Sequence, residues 1–103
     1  MTLEELKNKS EEAGFQYAYG QFKEPVEPPH LVAISRNTNN FMADNKVYQK
    51  KLPIQLDYTY IDKDLEMQNK LEDEVLNEVV WDKTDETYLS DEEIWQVSYF
   101  FEI

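Results

Sequence analysis

The apolar residues near the end of the chain fall on alternate positions. Trp95, Val97, Tyr99, Phe101 and Ile103 are separated by Gln96, Ser98, Phe100 and Glu102, the period-two pattern of a strand with one buried face. A second strand-like run over residues 81–89 precedes it. The polar Ser90, Asp91 and Glu92 between the two runs predict an antiparallel hairpin. Ile94 and Phe100 interrupt the polar side, so the second face is expected to be partly shielded as well, by a helix or a neighbouring subunit. The same alternation predicts strands over residues 15–19 and 31–35. Residues 46–60 read as one long strand or two joined ones, with Leu52, Ile54, Leu56, Tyr58 and Tyr60 on one side. Pro53 lacks a ladder donor and predicts a bulge or a sheet edge at that point.

Two stretches carry helical spacing instead. Thr2 and Glu5 have the spacing of a capping box, in which the hydroxyl accepts from the Glu5 amide and the carboxylate reaches back to Thr2. Leu3, Leu6 and Ala13 form a sparse apolar stripe behind them, and Gly14 can end the helix in a left-handed conformation. Met67, Leu71, Val75 and Val79 recur every four residues, predicting a longer helix over residues 64–80 that Asp62 or Asp64 can cap. Glu72 interrupts that stripe, at a helix edge or against a cation elsewhere. Pro25, Pro28 and Pro29 make residues 25–29 an extended arm. Residues 36–45 are dense in turn formers yet hold Phe41 and Met42, which either fold back onto the core or meet a partner. The expected fold is α+β: a mostly antiparallel sheet of four or five strands, an N-terminal helix, and the longer helix packed on one face.

Composition narrows the function more by exclusion than by signature. The 103 residues suit one domain, residues 1–103, and 14 aromatics (seven Tyr, five Phe, two Trp) supply its bulk. With no cysteine there is no disulfide or thiolate metal site. No basic segment followed by an apolar run opens the chain, and no stretch reaches membrane-spanning length, so a soluble protein without a signal peptide is expected.

Charge is uneven. Residues 62–93 hold 13 acidic residues against Lys63, Lys70 and Lys83, whereas residues 23–51 hold five basic residues against three acidic ones. Such a distribution serves solubility, head-to-tail self-association through unlike patches, or imitation of a nucleic-acid backbone. Direct nucleic-acid binding is not expected, because Lys and Arg form no cluster.

Candidate chemistry is sparse. Asp62, Asp64 and Glu66 have the opening spacing of a calcium loop, but Met67 stands where the turn needs glycine and Asp73 where a bidentate glutamate belongs. Gly14 and Gly20 are the only glycines, too few for a phosphate loop, and lone His30 offers neither a triad nor a metal set. No catalytic residue, metal or cofactor is expected.

Several stretches taken together resemble the tail-terminator and head-tail joining (tail-completion) proteins of long-tailed bacteriophages and prophages of Gram-positive bacteria. They are Leu3 to Leu6, Tyr19-Gly20 with Phe22, Pro28-Pro29, Asn40-Phe41, Ala43 to Tyr48, Lys83-Thr84 with Glu86-Thr87, and the ending Gln96-Val97, Tyr99 and Phe101 to Ile103. The resemblance implies a structural role without catalysis. Copies would close a ring, a hexamer, on the tail tube and meet the tube protein and the head connector, in the host cytoplasm during assembly and then at the head-tail junction of the virion. Expected contact residues are Arg36, Asn40, Phe41, Met42, Asp44, Lys46, Lys50 and Lys51 in the basic middle, and Asp91, Glu92 and Glu93 at the hairpin tip. An acidic inhibitor that imitates DNA and blocks a host DNA-binding or defence protein is the alternative reading of the same charge.

Overall fold

The computed structural model describes residues 1–36 and 51–103. It is an α+β domain built on one mixed sheet. The strands are β1 (Gln16–Tyr19), β2 (His30–Ser35), β3 (Pro53–Tyr60), β4 (Asp82–Lys83), β5 (Thr87–Leu89) and β6 (Ile94–Glu102). Their order is β1-β2-β3-β6, with β4 and β5 both paired along the free side of β6. Six strands thus make five rows. All pairs are antiparallel except β1 with β2.

The alternation expected for the last strand holds over β6, whose neighbours set its two faces. Val97 lies opposite Tyr58, Tyr99 opposite Leu56 and Phe101 opposite Ile54, and all six are buried. Leu31 and Ala33 of β2 continue that face. Both helices pack on it. In α1 (Leu3–Glu12), Leu6 is buried, and Thr2 caps the helix by accepting from the Glu5 amide at 3.1 Å. Only half of the expected capping box forms: the Thr2 hydroxyl itself donates to the Glu5 carboxylate at 3.3 Å. Gly14 follows at φ +95°, the left-handed exit that a side chain would resist.

The second helix is shorter than its periodicity predicts. α2 (Leu65–Lys70) is capped by Asp64, whose carboxylate accepts from the Met67 amide at 3.1 Å, and it continues as a π-turn over Leu71–Val75. The helix therefore ends before residue 80. The Leu76 amide donates to the Leu71 carbonyl, five residues back, at 3.0 Å. Residues five apart on an α-helix diverge by about 140°. The wider turn brings Leu71 and Leu76 toward the same side, and both are fully buried with Val75.

Pro53 neither bulges nor sits on an edge. It is the first residue of β3, a central strand, where a missing amide costs little. The bulge lies elsewhere. Thr87 pairs with Gln96 and Lys83 with Tyr99, so Thr84, Asp85 and Glu86 oppose only Val97 and Ser98. One extra residue breaks what looked like a single run over 81–89 into β4 and β5.

The opposite face of the sheet has no described helix on it. Asp57, in its centre, accepts from Ser98 Oγ at 2.6 Å and Gln55 Nε2 at 2.9 Å. The segment joining parallel strands β1 and β2 reaches this face at Phe22, whose ring meets His30 edge-on at 5.2 Å. Burial there lowers the His30 pKa.

Candidate functional site

A polar network lies where α2 meets β6 and β4. Glu72, the residue that broke the apolar stripe, is turned by the π-turn toward Tyr99 and Lys83. The Tyr99 hydroxyl donates to its carboxylate at 2.5 Å and Lys83 Nζ at 2.8 Å, which is the cation that the sequence left unspecified. Gln68, buried, donates to the Tyr99 oxygen at 3.2 Å and accepts from Lys63 at 2.6 Å. Lys63 also pairs with Glu86, whose carboxyl it holds below the usual range. Burial pushes the Tyr99 hydroxyl well above the ordinary tyrosine pKa, and the hydrogen bond to Glu72 adds to the shift. Tyr58 is likewise pushed up to about 12 by burial. Tyr60 is raised by burial and then by neighbouring Glu86, and its buried hydroxyl has no hydrogen-bond partner among the described residues. A phenol kept protonated and tied to a carboxylate is well suited to pinning helix to sheet. No group of three or more potential metal ligands occurs among the described residues.

The expected contact residues separate into two groups. Asp91, Glu92 and Glu93 are exposed at the tip of the β5–β6 hairpin, where the Glu92 amide donates to the Leu89 carbonyl at 3.2 Å and Glu93 takes φ +55°. Arg36 and Lys51 are exposed at the other end of the sheet. The Arg36 amide donates to the Pro53 carbonyl at 2.8 Å, and its guanidinium lies 4.7 Å from the centre of the Phe100 ring. Asn40, Phe41, Met42, Asp44, Lys46 and Lys50 lie outside the described residues.

β6 fixes the geometry between these groups. Its nine residues run from the hairpin tip at Ile94 to Glu102, opposite Pro53, a length of roughly 30 Å at the usual strand rise. Tyr60 is paired with Trp95, so the connection after β3 emerges beside the hairpin tip. That end holds Asp62, Asp64, Asp91, Glu92 and Glu93, with Lys63 already engaged by Glu86. At the other end Arg36 and Lys51 accompany Glu102.

The sequence reading missed three exposed apolar residues. Ile61 directly follows Tyr60, Leu65 opens α2, and Tyr88 pairs with Trp95, their rings 5.0 Å apart. They are 53%, 64% and 48% exposed. Their signal in the sequence is apolar residues set directly among Asp62, Asp64 and Glu66 or shortly before the polar turn Ser90-Asp91.

No family model matches the chain, and neither a curated protein nor a solved structure shows significant similarity to it. No helix among the described residues is long and apolar enough to cross a membrane.

Proposed function

We propose that this chain is a structural tail-completion protein of a long-tailed bacteriophage or prophage, whose copies close a hexameric ring on the end of the tail tube and face the head connector. The observation that carries the reading is the contrast between the two ends of the sheet. One end is acidic around the hairpin tip, and the other presents Arg36 and Lys51 against Glu102 alone among the described residues. A ring needs two different patches on each subunit, placed so that each meets the other on the next copy. Unlike patches at opposite ends of a rigid sheet meet that need, and the resemblance of the sequence to tail-completion proteins supplies the biological setting. The role works by shape and closure, with no chemical step.

Deleting the gene and imaging the lysate tests the role. Overlong tubes beside tailless heads are expected for a terminator, and tails of normal length detached from heads for a joining protein. Intact, infectious virions would overturn the proposal. The acidic end would then favour an inhibitor that imitates DNA, and salt-sensitive binding to a basic host protein would be its mark.

A further inference from the structure

We infer that the apolar residues at the acidic end, Ile61, Leu65 and Tyr88, anchor a docking surface for a second copy of this chain, which enters with the Arg36 and Lys51 end of its sheet. The inference rests on the ring reading and assigns its interface.

Five large apolar residues are strongly exposed among the described residues: Tyr19, Ile61, Leu65, Val80 and Tyr88. Three of them belong to this one end of the sheet. None is needed by the core, which Leu56, Tyr58, Leu71, Val75 and Tyr99 fill from within. Apolar side chains grouped at one end and rimmed by charge mark a protein contact, because water is excluded from the centre while the rim selects the partner. The rim here is carboxylate: Asp62, Asp64, Asp91, Glu92 and Glu93. The partner must therefore bring cations around an apolar or aromatic centre.

The opposite end of the same sheet has that chemistry. Tyr19, at the end of β1, is 49% exposed. Its hydroxyl donates to Ser35 Oγ at 2.8 Å and accepts from the Ser35 amide at 3.1 Å, which fixes the ring beside the end of β2 where Arg36 follows. Arg36 and Lys51 are exposed at that end together with Glu102, and the Arg36 guanidinium lies over the Phe100 ring. An end that carries exposed Tyr19 and two cations against one carboxylate thus stands against an apolar centre with a carboxylate rim. Because β6 holds the two ends roughly 30 Å apart, one chain cannot satisfy itself. The contact forms between copies, head to tail, and repeats around a ring.

Two variants test this. Ile61→Ser with Leu65→Ser disables the acidic end, and Arg36→Glu with Lys51→Glu disables the other. All four positions are exposed, so circular dichroism and melting should match the parent chain. In sedimentation at moderate salt, each variant alone should need at least a tenfold higher concentration than the parent to associate. Mixed in equal amounts, they should form a dimer and nothing larger, because each supplies one intact surface. A variant that assembles like the parent, or a mixture that stays monomeric while the parent assembles, would overturn the assigned surface and leave the ring reading standing. A parent chain that is monomeric throughout would overturn the assigned surface and self-assembly together, and the gene deletion would then decide the tail role separately.

Discussion

The two faces of the sheet are made differently. On the helix-covered face, Leu31, Ala33, Ile54, Leu56, Val97 and Tyr99 have essentially no exposed surface, and burial does the stabilising. On the other face, Gln55, Asp57 and Ser98 are half-buried and joined by hydrogen bonds, each worth less than the full burial of a large side chain because water offers the same partners to the unfolded chain. The first face specifies the fold. The second mainly fixes register, so emptying a buried position on the first should cost more than removing one hydrogen bond from the second.

Leu56→Ala should show the largest effect, a loss of about 2–5 kcal/mol in denaturant melts, since a fully buried leucine leaves a cavity. Ser98→Ala, on the other face, should cost less, about 1.5 kcal/mol, because it removes one hydrogen bond to the Asp57 carboxylate while Gln55 still donates to it. Similar losses at the two positions would contradict the contrast between faces.

Alkali sharpens the same contrast. The raised pKa values of Tyr58, Tyr60 and Tyr99 mean that folding keeps these phenols protonated. Their contribution is fully present below about pH 10, the usual tyrosine value, and is lost as pH rises toward and past 12. Stability should fall over that range, and Tyr58→Phe should flatten the fall. An unchanged alkaline limb in the variant would argue against burial as the cause.

Tyr99→Phe removes the hydroxyl that Glu72 accepts and should cost about 1–3 kcal/mol, with Lys83 still satisfying the carboxylate. Hydrogen exchange should quicken at the π-turn before it does in β3 if this bond pins the helix. Thr2→Ala should have the smallest effect, about 1 kcal/mol, read as fraying of α1 alone.

Much of the sheet is legible from sequence because a period of two leaves little choice: the side chains of β6 had one apolar face, and it is the buried one. The end of α2 was not legible. Met67, Leu71, Val75 and Val79 keep a four-residue spacing through the point where the backbone widens into a π-turn and leaves the helix, and residues 76–80 carry no glycine or proline to mark the stop. Glu72 was legible only as an anomaly, since its partners Tyr99 and Lys83 come from distant strands. Pro53 misled because the alternation runs straight through it, hiding a strand start. The charge contrast was visible along the chain but not in space. Asp62 and Asp91 become neighbours in placement only because β3 and β6 pair with Tyr60 opposite Trp95.

The central claim is that copies of this chain carry their own interface, and sedimentation of the parent protein across concentration at low and moderate salt tests it most directly. The net charge of -12 repels copies at long range, and salt screens that repulsion more than it weakens the apolar anchors and the carboxylate–cation pairs held in close contact at the interface. The account predicts a discrete ring-sized species that grows from low to moderate salt. A monomer at every concentration and salt would contradict it.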